Sequence, residues 1–92
     1  MQIRCCHILV ESLDKAQELQ QKIIEGGDGD TFIALAKSYS TCPSGANGGD
    51  LGFFGPGQMV KPFEEAAYGL QPGQVSVPVQ TQFGYHLIWR IS

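Results

Sequence analysis

Residues 3–10 open the chain with an almost unbroken apolar run, IRCCHILV. Apolar side chains at both odd and even positions indicate a strand that is covered on its two faces, as a central strand of a sheet is. From residue 13 to residue 24 the apolar positions instead recur at helical spacing, with Ser12 as the expected N-cap and Gly26 and Gly27 as the stop. The pattern therefore predicts a central strand followed by an amphipathic helix.

Two further helices are predicted by shorter apolar stripes. Residues 28–30 form a turn in which Asp30 is the expected cap of the second helix. The stripe of that helix has i, i+3, i+4, i+7 spacing and consists of Phe32, Leu35, Ala36 and Tyr39. The third helix has Pro62 in its first turn, where the missing N–H is not needed. Its expected buried face consists of Phe63, Ala66, Ala67 and Leu70.

The remaining strands are predicted by alternation. A short strand is expected at residues 51–54, and a last strand at 85–91 follows a tight turn at 82–84. Pro78 places the strand between them at a sheet edge. The valines that alternate in that strand are Val75, Val77 and Val79. The resulting order, β-α-α-β-α-β-β, predicts an α+β fold with a small antiparallel or mixed sheet packed against helices.

Composition narrows the class of protein. The chain has 92 residues, 42% hydrophobic and 16% charged, as expected of one globular domain. Its net charge of −3 and six scattered basic residues argue against nucleic acid as a partner. No apolar run is long enough to span a bilayer and no signal-peptide pattern is present, so we expect no membrane partner. Three cysteines, an odd number, favour reduced thiols and a cytoplasmic location.

Residues 41–63 combine six glycines and three prolines with several apolar or sulfur-bearing side chains, so they cannot form one regular element. A surface loop seldom displays so much apolar side chain without a reason. The segment either lines an apolar cleft or folds over the core as a lid. Leu51, Met59 and Phe63 could form a shallow apolar cup of the size of a proline ring, and core packing is the alternative role for them.

Four polar or soft groups are candidates for chemistry: His7, Cys42, Thr81 and His86. Histidines on two neighbouring strands can orient each other or a nearby hydroxyl or thiol, and a purely structural role is the alternative. A cysteine nucleophile with a histidine base would suit a thiol hydrolase or acyl transferase. A metal site is less favoured, because the adjacent Cys5 and Cys6 point to opposite faces of a strand. We expect neither metal nor cofactor.

Five segments in register resemble the parvulin family of peptidyl-prolyl cis/trans isomerases. They are CHILV at 6–10, YSTCPS at 39–44, GGDLGFF at 48–54, GQMVKPFEEA at 57–66 and TQFGYHLI at 81–88. The resemblance implies one domain over residues 1–92, with a four-stranded antiparallel sheet surrounded by helices. It also implies that His7, Cys42, Thr81 and His86 are catalytic, and that Leu51, Met59, Phe63 and Phe83 bind the substrate proline.

The implied activity is rotation about Xaa-Pro bonds in proline-containing segments of client proteins, assisting their folding, by a monomer. Relatives that act on phosphorylated Ser-Pro or Thr-Pro bonds carry a basic cluster after the first strand. Here that loop is residues 11–14, ESLD, which would repel phosphate, so the chain resembles the short, non-phospho-specific parvulins. The expected mechanism is non-covalent stabilisation of the twisted amide. The alternative is a non-catalytic module that binds proline-containing segments as a chaperone.

Overall fold

The computed structural model describes all 92 residues, Met1–Ser92. It contains four strands, three α-helices and one short 3-10 helix, in the predicted order. The elements are β1 Ile3–Val10, α1 Leu13–Gly26, α2 Gly29–Tyr39, the 3-10 helix Pro43–Asn47, β2 Asp50–Phe54, α3 Lys61–Gly69, β3 Val79–Thr81 and β4 Gly84–Arg90. No helix combines the length and apolar character that a bilayer crossing requires.

The strands form one antiparallel sheet in the order β2-β1-β4-β3. This confirms the α+β class and the four-stranded antiparallel sheet. β1 pairs with β2 on one edge and with β4 on the other, so it is a central strand, and its side chains enter core layers on both faces of the sheet as its composition predicts. Cys5 and Cys6 consequently lie in different core layers.

The first core layer lies between the sheet and the helices α1 and α2. Its buried members are Cys6, Ile8, Val10, Ala16, Leu19, Ile23, Phe32, Ala36 and Leu87. The second lies between the opposite sheet face and α3, and its buried members are Ile3, Cys5, Phe54, Phe63, Ala67 and Ile88. Because α3 is only nine residues long, it covers only part of that face. His7 and Leu9 continue the same face of β1 beyond Cys5.

Three sequence predictions are wrong in detail at the helices and at the third strand. Asp28, not Asp30, caps α2, and its carboxylate accepts from the Thr31 N–H at 2.9 Å. Tyr39, the last member of the predicted buried stripe, is 38% exposed, with the Lys15 ammonium 4.4 Å from its ring centroid.

The strand predicted from alternating valines is shorter than expected. β3 contains only Val79–Thr81, and Val75 forms a single bridge to Trp89. Val77 is 66% exposed, whereas Ser76 is buried. The Ser76 hydroxyl accepts from the Ile88 N–H at 3.0 Å. The side-chain oxygen of Ser76 thus replaces the backbone carbonyl that would accept this hydrogen bond in a continuous strand. Pro78 has no N–H, so it cannot continue the hydrogen bonding to β4.

Candidate active site

Two histidines on neighbouring strands form the centre of the site. Leu9 of β1 lies opposite His86 of β4, so His7 and His86 are diagonal neighbours on one sheet face. Their Nδ1 atoms are 2.9 Å apart, and the rings stack with centroids 5.1 Å apart. The register of two central strands therefore produces the pair.

The other ring nitrogen of each histidine extends the pair into a longer chain of hydrogen bonds. On the β4 side, His86 Nε2 lies 2.8 Å from Thr81 Oγ1, which accepts from the Phe83 N–H at 3.1 Å. On the β1 side, His7 Nε2 lies 3.0 Å from Ser44 Oγ. Ser44 Oγ in turn donates to the Cys42 sulfur at 3.3 Å. The chain thus joins the backbone of the β3–β4 turn to the thiol of the glycine-rich segment.

One arrangement of hydrogens satisfies every member of this chain. In it, the hydroxyl hydrogen of Ser44 is directed to Cys42, and His7 carries its hydrogen on Nε2 and donates to Ser44. His7 Nδ1 is then an acceptor for His86 Nδ1–H. His86 Nε2 accepts from the Thr81 hydroxyl. Both imidazoles are neutral, and each donor in the chain points toward the Cys42 sulfur, so the bonds polarise one another in one direction.

This arrangement is unfavourable for a thiol hydrolase. Such an enzyme needs a histidine base within hydrogen-bonding reach of the cysteine. Here Ser44 lies between Cys42 and His7 in the chain of hydrogen bonds. No hydrogen bond joins Cys42 to either histidine directly.

Burial keeps the histidine pair neutral. His7 and His86 are each 4% exposed. Burial, and to a smaller extent the neighbouring His86, lower the pKa of His7 to about 4. Burial also lowers the pKa of His86 to about 4. At neutral pH the pair is therefore uncharged and its single shared hydrogen bond is intact.

Backbone contacts to β1 place Cys42 and Ser44 above the histidines. The Thr41 N–H donates to the Leu9 carbonyl at 2.8 Å, which fixes the start of the loop. The Gly49 carbonyl accepts from the His7 N–H at 2.9 Å, and the Gly49 N–H donates to the Ser44 carbonyl at 2.9 Å. Gly49 has a φ of 83°, and a Cβ there would collide with the His7 carbonyl. A glycine is thus required where the loop passes His7.

An apolar cavity of about 500 Å³ opens beside the hydrogen-bond chain, and we call it the proline cavity. It is lined by His7, Leu9, Thr41, Cys42, Pro43, Leu51, Gln58, Met59, Val60, Phe63, Phe83 and His86. Phe63 forms the contact between the cavity and the polar chain: its ring meets His7 and His86 edge-on, with centroid distances of 5.6 and 5.2 Å. A five-membered ring resting on Phe63 would lie beside both imidazoles.

Seven of the eight predicted site residues line this cavity, and the eighth, Thr81, lies behind His86. Lys61 is close in sequence to the lining residues Met59 and Phe63 but does not line the cavity, and no other Lys or Arg does. Ser44 was missed, because a serine in a Pro-Ser-Gly sequence is typical of a turn. Leu9 was missed as well, although alternation along β1 places it on the same face as His7.

Ser44 offers a direct test of the hydrogen-bond chain. We expect Ser44→Ala to remain folded, because the side chain is only partly buried, and to lose roughly fivefold in the isomerase activity that the parvulin resemblance implies, the equivalent of one ordinary hydrogen bond of about 1 kcal/mol. If the serine acts through Cys42, the same change in a Cys42→Ala background should have little further effect. Fully additive losses in the double-mutant cycle would contradict a connection between the two residues.

Residues 9–92 match the family model described as "Rotamase: PPIC-type PPIASE domain". The foldase protein PrsA of Geobacillus sp. is 56% identical over 87 residues, and that of Bacillus subtilis is 48% identical over 87 residues. These matches cover 94% of this chain but 30% and 29% of the relatives, so the chain spans about 30% of the length of these curated relatives.

Solved structures agree with the sequence matches. The crystal structure of the peptidylprolyl isomerase PrsA from Bacillus anthracis superposes with a TM-score of 0.93 at 42% identity, over 99% of this chain and 41% of the other. The solution structure of the parvulin of Nitrosopumilus maritimus superposes with a TM-score of 0.86 at 43% identity, over 99% of this chain and 96% of the other. The second match covers almost all of both chains.

Proposed function

Because the chain belongs to the parvulin family of peptidyl-prolyl cis/trans isomerases, we propose that residues 1–92 act as one domain that accelerates rotation about Xaa-Pro bonds in segments of client proteins. The observation that carries the proposal is the placement of the proline cavity. Its apolar floor lies directly beside a neutral, fully satisfied chain of hydrogen bonds. A site of this kind can hold a ring and surround an amide without attacking it.

The reaction needs a lower barrier to rotation, not a broken bond. The C–N bond of an amide has partial double-bond character, and its rotation barrier is about 18–20 kcal/mol. Amide resonance places negative charge on the carbonyl oxygen in the planar forms and less in the twisted form. An environment that solvates this charge poorly therefore raises the planar forms relative to the transition state. The apolar lining from Leu51, Met59 and Phe63 supplies such an environment.

We assign Cys42 an electrostatic role. Its sulfur is the terminal acceptor of the hydrogen-bond chain and lines the cavity, so its lone pairs lie near a rotating carbonyl. Lone pairs beside the oxygen disfavour the planar amide more than the twisted one. Each 1.4 kcal/mol of this difference is worth about tenfold in rate.

Substitution of Cys42 separates this role from covalent catalysis. We expect Cys42→Ser and Cys42→Asp to keep appreciable activity, within roughly tenfold of the parent, because each presents oxygen lone pairs at the same place. The measurement is exchange spectroscopy on an Xaa-Pro peptide, with chemical shifts as the check on folding. Two folded, peptide-binding variants without any activity would favour a covalent step instead.

The substrate class follows from the absence of cations in the cavity. We propose that the residue before proline is uncharged or apolar and not phosphorylated, since no Lys or Arg lines the cavity and the loop after β1 is acidic. A panel of Xaa-Pro peptides, including phosphoserine, tests both proposals in one series. No acceleration for any peptide would contradict the enzyme and favour a binding module, whereas a preference for phosphoserine would contradict only the specificity.

Oligomeric state and location are proposals of the same kind. We propose a monomer that acts in a reducing compartment, such as the cytoplasm, because its three cysteines are free thiols. Light scattering at micromolar concentration tests the first. Localisation of the tagged protein in its own cell tests the second.

A further inference from the structure

A second groove, of about 460 Å³, lies on the opposite side of the sheet from the proline cavity. It occupies the corner between the end of α1, the start of α2 and the edge of the sheet, and we call it the corner groove. Its lining consists of Ile23, Ile24, Gly27, Asp28, Gly29, Phe32, Gly73, Val75 and Trp89. No residue of the proline cavity is among them, so the two sites are independent.

The corner groove exposes apolar surface beside the sheet edge. Ile24 is 65% exposed, although it belongs to the apolar stripe of α1. The Trp89 ring closes the other end, packed against Phe32 with centroids 5.5 Å apart. Gly29 permits this packing, because a Cβ there would collide with the indole. The indole N–H has no partner within the chain, and since no buried polar side-chain atom is unsatisfied, that donor is open to solvent.

The sheet edge at the groove has unused backbone groups. The Gln74 carbonyl accepts from the Arg90 N–H, and the Ser76 N–H donates to the Ile88 carbonyl. Val75 between them faces Trp89 as a non-hydrogen-bonded pair, so its own N–H and C=O point away from β4. Neither group has a partner within the chain. A second extended backbone can satisfy both at once.

The charges around the groove favour a basic occupant. Asp28 lines it, and Glu25 and Asp30 are exposed beside it. The last turn of α1 has no basic side chain to offset its free carbonyls, which carry the negative end of the helix dipole. No Lys or Arg lines the groove. An occupant with positive charge next to an apolar side chain is therefore complementary to it.

We propose that the corner groove binds an extended polypeptide segment in which a bulky aliphatic or aromatic side chain is flanked by Lys or Arg. The segment adds to the sheet edge at Val75, places its apolar side chain between Ile24 and Trp89, and directs its cations toward Asp28 and the end of α1. This is a second client contact that needs no proline and does not rest on the isomerase proposal.

The test uses the whole 92-residue protein and two capped, proline-free heptapeptides. One has a central leucine flanked by lysines, and the other has glutamates in place of the lysines. In ¹H–¹⁵N spectra at low salt we expect the lysine peptide to shift the amides of Gly27, Gly73 and Val75 and the indole N–H of Trp89. We expect the glutamate peptide to bind at least tenfold more weakly.

A matched pair of surface variants locates the contact. Ile24→Lys should weaken the lysine peptide about tenfold or more, whereas Leu13→Lys, the same change at the exposed start of α1, should leave binding within roughly twofold. Both variants should retain isomerase activity on a short Xaa-Pro peptide, which separates this proposal from the proposed enzyme function. Chemical-shift changes confined to the proline cavity, or no changes at millimolar peptide, would overturn the proposal for the corner groove. So would groove shifts that grow with protein concentration alone, because they would assign the groove to a second copy.

Discussion

Phe63→Ala should lose most of the isomerase activity of this domain, with kcat/KM falling about 10- to 100-fold, equivalent to about 1.4–2.7 kcal/mol of transition-state stabilisation. The ring is 3% exposed, forms part of the floor of the proline cavity and contacts both imidazoles edge-on. Its removal leaves the substrate ring without a fixed position and admits water next to the amide. Both effects act on the rotating bond, so binding and turnover should fall together.

The same substitution also removes core packing, and this has to be separated from catalysis. Truncation of a buried phenylalanine costs about 3–5 kcal/mol of stability. Phe32→Ala is the matched control, because Phe32 is equally buried but lies in the core layer on the opposite side of the sheet. Measured at a temperature where both variants are folded, Phe32→Ala should retain near-parental turnover. If a folded Phe63→Ala protein had the activity of the parent protein, Phe63 would have no role in catalysis.

Met59→Ala gives an intermediate case. Met59 lines the same cavity but is only partly buried, so its truncation should affect catalysis more than stability. A decrease in peptide affinity and turnover with a small change in melting temperature is the expected pattern. The comparison of the two pocket variants then shows whether the lining as a whole, or Phe63 alone, holds the ring.

Several of the regular elements could be predicted because their local patterns are strong. The continuous apolar run of β1 favours a strand covered on both faces, the spaced stripe of α1 favours an amphipathic helix, and both are confirmed. The predicted strand at residues 75–79 is wrong because a tertiary contact outweighed the alternation. The Ser76 hydroxyl pairs with the Ile88 amide and turns Val77 outward.

The parvulin resemblance is confirmed by the family model and by the solved structures. The connection through Ser44 could not be predicted, because it joins residues 37 positions apart and depends on how the loop passes over β1 at Gly49. The corner groove depends likewise on an irregular edge that has no signature in the sequence.

Lowering the pH from 7 to 4 should destabilise the folded protein by roughly 5–6 kcal/mol, about half from each histidine, with the loss beginning near pH 6.5. The pKa of His7 and that of His86 are both lowered to about 4 in the folded state by burial, against about 6.5 in an unfolded chain. Between these values the unfolded chain binds more protons than the folded protein. The free energy of unfolding therefore falls as the pH falls, by up to about 1.4 kcal/mol per pH unit for each histidine.

This pH dependence is unusually easy to assign, because the chain has only two histidines and both are in the pair. Carboxylates such as Asp50, whose pKa is lowered by its hydrogen bond to Arg4, contribute only at lower pH. Urea unfolding at half-unit steps between pH 7.5 and 4.5 measures the slope. The double variant His7→Gln, His86→Gln has no titrating ring, so its stability should be nearly flat from pH 7 to 5.5.

Activity should fall with the same protonation but for a different reason. The pair can take up a first proton on an Nε2 atom that faces the hydroxyl of Thr81 or Ser44. The hydrogen bond between the two Nδ1 atoms then remains intact. The second proton places two N–H groups against each other at 2.9 Å and breaks the chain that ends at Cys42. Exchange rates on a non-titrating Xaa-Pro peptide should therefore decline below about pH 4.5, measured at a temperature where the protein is still largely folded. An isomerase rate that stays constant down to about pH 3.5 in folded protein would show that catalysis does not depend on a neutral histidine pair.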